Sequence, residues 1–171
     1  MNASCSGRSL LRPSLGLLAA AMLTWSGTSW AATCNLSFGS LSFGAYVSAQ
    51  ISSSSTATLN CTKPPGPPED INYTIALSTG AGTYAQRLMN RASLPADTLP
   101  YNLYLNALPA VLNTSVWGDG SGTTVRWTGS IRLTGNANVT RTATLVGAIP
   151  AGFFPAAGTY QDTIVATLTI N

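Results

Sequence analysis

Three cysteines, Cys5, Cys34 and Cys61, and five carboxylates, Glu69, Asp70, Asp97, Asp119 and Asp162, are the side chains of this sequence with the most chemistry to offer. The chain contains no histidine. That removes the usual general base for a Ser or Cys nucleophile, the commonest zinc ligand and the ordinary proton shuttle of neutral pH. Thiols without histidine make a poor zinc set. Paired carboxylates can carry acid–base work if they meet in space, but turn chemistry explains four of these five more simply. Lys63, the single lysine, sits in no glycine-rich phosphate loop. These residues point away from an enzyme and call for no cofactor and no metal.

Trp117-Gly118-Asp119-Gly120-Ser121-Gly122 admits three readings. The aspartate could offer oxygen ligands to calcium, or the tryptophan could stack on a sugar. A calcium loop, however, needs several alternating acidic or amide ligands and a terminal carboxylate, which this segment lacks. The Asp-Gly pair favours a tight turn with a packed tryptophan.

The elements that would position these residues begin after a leader. Arg8 and Arg12 precede an apolar run, Leu15 to Leu23, and the small residues Ser29 and Ala31 follow. This is the pattern of a secretory signal peptide over residues 1–31, and the run is well short of the roughly 20 residues that span a bilayer. Cleavage before Ala32 leaves residues 32–171 as one β-sandwich domain able to bury a single core. Eight basic residues less Arg8 and Arg12 leave six against five acids, a net charge of +1. That is no electrostatic footprint for nucleic acid or anionic lipid. Charged residues make up only 8% of the chain against a usual ~25%, a surface suited to secretion and assembly.

With Cys5 removed in the leader, Cys34 and Cys61 remain as an even pair bound for an oxidising compartment, where they are expected to form a disulfide. Alternation puts Cys34, Leu36 and Phe38 on one face of an extended segment and Ala57, Leu59 and Cys61 on one face of another. Closing a loop of this length stabilises the fold by roughly 3 to 4 kcal/mol in the chain-entropy account.

Period-two alternation dominates the rest, and no window carries a helical stripe, so the fold class is all-β. Strands are expected over 35–38, 55–61, 71–78, 101–105, 123–127, 131–134, 139–147 and 160–170. About eight strands make a sandwich. Lys63 to Asp70, rich in proline, reads as a rigid surface connection. In the last strand Ile164, Ala166, Leu168 and Ile170 fall on one face. No later segment of the sequence is there to pair with its free side, so its partner is either an earlier strand or another polypeptide.

These segments together resemble the spore coat protein U domain family, shared by subunits of archaic chaperone-usher pili. The likeness rests on Cys34 followed by Leu41-Ser42-Phe43-Gly44-Ala45-Tyr46, on Cys61 closing a strand, and on Arg87-Leu88-Met89 before Tyr101-Asn102-Leu103-Tyr104. It continues through Trp117-Gly118-Asp119-Gly120 and Gly147-Ala148-Ile149-Pro150-Ala151-Gly152, and is most specific in Ala157-Gly158-Thr159-Tyr160-Gln161-Asp162-Thr163.

The resemblance implies an immunoglobulin-like, pilin-type sandwich that is incomplete and is completed by a donor strand. A periplasmic chaperone, an usher and neighbouring pilus subunits are the partners it implies, with Ile164, Ala166, Leu168 and Ile170 facing the chaperone-binding or donor-strand groove. The expected location is the cell surface, a pilus or the extracellular space, reached through the periplasm. Two features depart from the family. Only Ala32 and Thr33 precede Cys34 after cleavage, too few for a donor strand, which suggests a strand acceptor at a tip or outside pilus rods. Phe153-Phe154 stand where the family is more polar, and either form an adhesive contact tip or tuck under the sandwich end. A self-contained coat or biofilm-matrix protein and a carbohydrate-binding module using Trp117 are the rival functions.

Overall fold

A computed structural model describes residues 31–171; apart from Ala31, the expected leader lies outside the described residues. Nine strands make up the described chain: β1 (Thr33–Phe38), β2 (Ile51–Lys63), β3 (Glu69–Leu77), β4 (Arg87–Arg91), β5 (Leu94–Leu105), β6 (Trp127–Leu133), β7 (Ala137–Ile149), β8 (Tyr160–Gln161) and β9 (Ala166–Ile170). They form a six-stranded sheet of order β1-β2-β7-β5-β4-β8 and a three-stranded sheet of order β6-β3-β9. Every strand pairing is antiparallel. The expected all-β sandwich is what the chain forms.

The sequence pattern explains the layers. Ala57, Leu59 and Cys61 of β2 are fully buried, while the intervening Thr58 and Asn60 face outward. Asn60 ties the outer face across strands by donating from Nδ2 to Asn138 Oδ1 at 2.9 Å and Thr140 Oγ1 at 3.1 Å. From the opposing sheet β3 sends Ile71, Tyr73, Ile75 and Leu77 into the same core, in the interdigitation expected of stacked sheets. Cys34 and Cys61 stand directly opposite in the β1–β2 register and are bonded, their Cα atoms 4.0 Å apart.

A buried cation stitches three segments of this core. Arg87 is fully buried and donates from Nε and Nη2 to Ser78 O at 3.1 and 2.7 Å, from Nη1 to Asn102 Oδ1 at 2.9 Å and from Nη2 to Trp117 O at 2.8 Å. Burial pulls its pKa down from the ordinary arginine value. Its hydrogen bonds satisfy carbonyls that would otherwise be orphaned in the core.

Three expectations about strands change. β4 was not anticipated, because Arg87 breaks the apolar pattern and only its buried hydrogen bonds reveal an inward residue. Residues 123–127 contribute a single bridge, Val125 to Trp117, and the strand proper starts at Trp127. The backbone before it is spent on a turn, with Thr124 N donating to Ser121 O at 3.0 Å. The expected strand 160–170 is two strands in different sheets, β8 beside β4 and β9 beside β3. Finally, the proline-rich connection shrinks to 64–68: Lys63 closes β2, buried, with its Nζ 3.2 Å from Glu69 Oε2 at the start of β3.

Candidate functional site

Where the chain passes from β8 to β9 it forms one wall of an apolar groove of about 770 Å³. The opposite wall is Phe38, the last residue of β1, and the non-strand segment Leu41 to Tyr46; Met89, Leu99, Leu103 and Ile149 belong to the floor. Two local devices set this geometry.

The first lets a wall lie down on the sheet. At Gly147 of β7 a Cβ would stand 2.7 Å from both Leu41 Cδ2 and Phe43 Cζ, so the missing side chain lets the tips of these two residues lie directly on the sheet. Phe43 then meets Tyr101 edge-on, with ring centroids 6.0 Å apart.

The second device is a latch at the sheet crossing. Asp162 Oδ2 accepts from Tyr101 Oη at 2.8 Å, and its Oδ1 accepts from Ala81 N at 3.2 Å and Thr163 N at 2.8 Å. Three residues after Asp162, Val165 N donates to Ser78 Oγ at 2.9 Å while Val165 O accepts from Ser78 N at 2.9 Å. Residues 162–165 are thereby strapped to the loop after β3. Burial raises the Tyr101 hydroxyl pKa, and the hydrogen bond to Asp162 raises it further.

The groove's walls carry unused main-chain groups. Among the described residues, β1 and β9 each have a single strand neighbour, and residues 40–47 enter no backbone–backbone hydrogen bond. An apolar floor between two such edges can take an extended segment that brings its own main-chain donors and acceptors.

Of the four residues expected to face a groove, Ile164 and Ala166 line it. Leu168 lies farther along β9, half-buried and packed on the core, and Ile170 is 42% exposed. Leu41, Phe43, Tyr46, Tyr101 and Asp162 were not assigned to the site from sequence. The alternation of Leu41 and Phe43 was the available signal; the Tyr101–Asp162 contact, across 61 residues, left none.

Two other expectations are decided by exposure. Trp117 is 0% exposed, donates from Nε1 to Ile75 O at 3.1 Å and meets Trp127 edge-on at 6.2 Å. A sugar cannot stack on it, which removes the carbohydrate module built on that residue. Asp119 accepts from Ser121 N at 2.9 Å, and its hydrogen bonds to Ser121 hold its carboxyl below the usual carboxylate range, as in a self-capped turn. Phe154, by contrast, is 87% exposed, so it does not tuck under the sandwich; Phe153 beside it is 36% exposed. Among the described residues no helix is long and apolar enough to cross a membrane.

A β-sandwich with an apolar groove between two unpaired edges is thus the class of protein that fold and site define. The sequence profile of the Spore Coat Protein U domain matches residues 19–167, and the chain belongs to that family. No match emerges among curated proteins. Among solved structures, a chain from a chaperone–tip adhesin complex of CFA/I fimbriae is similar at 10% identity with a TM-score of 0.38, over 79% of this chain and 42% of that one. The protein therefore spans less than half of that chain's length.

Proposed function

We propose that the protein is an exported, non-enzymatic structural subunit of a surface assembly, a pilus of the chaperone-usher kind, that accepts an extended strand from another polypeptide. One observation carries this reading: an apolar groove flanked by two segments whose main-chain groups have no strand partner on that side. A strand laid there would hydrogen-bond to Leu41–Tyr46 on one side and to the 162–170 edge on the other, while alternate side chains descend to Met89, Leu99 and Leu103. A periplasmic chaperone would cover the same groove before assembly, an usher would hand the subunit on, and a neighbouring subunit would supply the final strand. In this reading residues 1–31 are removed as a leader on export, and Phe153 and Phe154, with the 77% exposed Val47 nearby, form the adhesive tip.

A second reading has its own support. β9 already pairs with β3 through five residues, from Tyr73↔Ile170 to Leu77↔Ala166, so the last strand does not lack a partner inside the chain. A self-contained coat or biofilm-matrix protein would use the sandwich as it stands. The two readings separate on one experiment. A synthetic peptide of alternating apolar residues is added to the purified domain and its melting temperature followed. An acceptor gains stability as RT ln(1 + [L]/Kd), about 2.7 kcal/mol at a hundredfold excess over Kd. No gain with any such peptide, from a domain that is monomeric and stable alone, leaves the self-contained protein.

A further inference from the structure

We infer that Tyr46 is the end stop of the groove and sets the register of the strand lying in it. This inference rests on the strand-acceptance reading. Along one wall the lining runs from Phe38 to Tyr46, and along the other from Ala166 back to Pro155. Immediately beyond Tyr46 and Pro155 the two walls are tied together. Tyr46 Oη donates to Pro150 O at 2.7 Å and accepts from Phe153 N at 3.2 Å, and Ser48 O accepts from Gly152 N at 2.9 Å. The turn that brings these groups within reach has Gly152 at φ 91°, where a side chain is strained. The Tyr46 ring itself packs on the core, so the hydroxyl is held in place from below.

The opposite end carries no such tie. There β1 and β9 run on as edges of separate sheets, and among the described residues neither pairs with the other. The groove is open at one end and closed at the other.

Why this matters follows from strand geometry. Side chains alternate with a period of two, so a strand sliding in an apolar groove finds an equivalent position every two residues, and a uniform floor does not choose between them. A wall-to-wall tie chooses: the leading end of the strand halts against Tyr46, and all its alternate side chains fall into defined places behind it. The tie uses both capacities of one hydroxyl, so a single atom tests it.

The test uses mature protein and a peptide of about a dozen alternating valines and threonines, made in two versions with a benzophenone photo-crosslinker at one terminus or the other. Crosslinked residues are mapped by mass spectrometry, and the melting temperature is read in parallel. In the native protein one of the two labels attaches at a single site beside Tyr46, Ile149 or Pro155. In Tyr46→Phe the ring remains and both hydrogen bonds go, and the attachment spreads in steps of about two residues, reaching Val47 or Phe153. The same single site in both proteins overturns the stop while leaving strand acceptance standing. Absence of crosslinks and of any rise in melting temperature in both proteins defeats strand acceptance, and the stop with it. Should Tyr46→Phe not fold, amide hydrogen exchange on the native protein decides: the Gly152 and Phe153 amides stay protected when peptide binds if Tyr46 is a stop, and losing protection on binding overturns it.

Discussion

Replacing Tyr101 with phenylalanine removes one oxygen from the latch that holds the sheet crossing, and its effect depends on pH in a way that identifies the cause. At neutral pH the variant loses the 2.8 Å hydrogen bond from Tyr101 Oη to the Asp162 carboxylate. Hydrogen bonds to charged groups contribute about 1.5–3 kcal/mol, and Asp162, half-buried with two backbone N–H donors left, belongs at the low end, about 1.5 kcal/mol. For a domain of this size that lowers the melting temperature by roughly 5 °C. The alkaline limb separates this from generic damage. Burial, and then Asp162, raise the Tyr101 pKa above the ordinary 10.0. A raised folded-state pKa contributes stability that is complete below pH 10 and is lost above it, because the unfolded chain gives up the proton first. Between pH 10 and 11 one such tyrosine accounts for up to about 1.4 kcal/mol of lost stability. Phenylalanine carries no such proton, so the gap between native protein and variant, measured by urea denaturation at pH 7, 10 and 11, is expected to narrow as pH rises. Parallel curves at all three values would refute the coupling of burial and latch at this hydroxyl.

Removing the disulfide by replacing Cys34 and Cys61 with serine is expected to cost about 3.5 kcal/mol from loop closure alone, read as a lower denaturation midpoint; native protein analysed without reductant shows a mass two hydrogens below the free dithiol. Gly147→Val sets a Cβ 2.7 Å from the present positions of Leu41 Cδ2 and Phe43 Cζ, and is expected to lose about 1 kcal/mol through overpacking and to weaken peptide stabilisation as those side-chain tips are displaced; unchanged peptide response would contradict the described packing. Phe154→Ser, at a side chain 87% exposed, is expected to leave stability within about 0.5 kcal/mol and to reduce adsorption to apolar beads, and equal adsorption would remove the tip role.

What the sequence made legible was whatever depends on alternation. β2, β3 and β7 follow it over long stretches, and Cys34 and Cys61 could be put on core-facing positions because each shares a face with apolar neighbours two residues away. The same rule failed where polarity and burial part company. Arg87 reads as a surface residue yet sits at the centre of a hydrogen-bond network with Ser78, Asn102 and Trp117, so β4 went unseen. It failed again at 160–170, where the alternation is unbroken: Ile164, Ala166 and Leu168 all point inward, but side-chain parity does not say which sheet a backbone joins. The change of sheet is imposed by Asp162, whose partners Tyr101 and Ala81 are 61 and 81 residues away. The groove is built from such distant meetings, and Ile164 and Ala166 line it.

The division of the last segment between two sheets also has a kinetic meaning. β8 completes the edge of one sheet and β9 the edge of the other, and both belong to the same stretch of eleven residues, 160–170. A polypeptide synthesised from its N-terminus presents those residues after the other described strands. Until then β3 has one neighbour instead of two, β4 has only β5, and no Asp162 is present to close the crossing. The partners already available meet over long loops, β2 and β7 across 74 to 98 residues, and pairings of that kind form slowly. The nascent sandwich therefore has apolar edges uncovered while it forms, and β8 and β9 are the strands whose docking ends that interval.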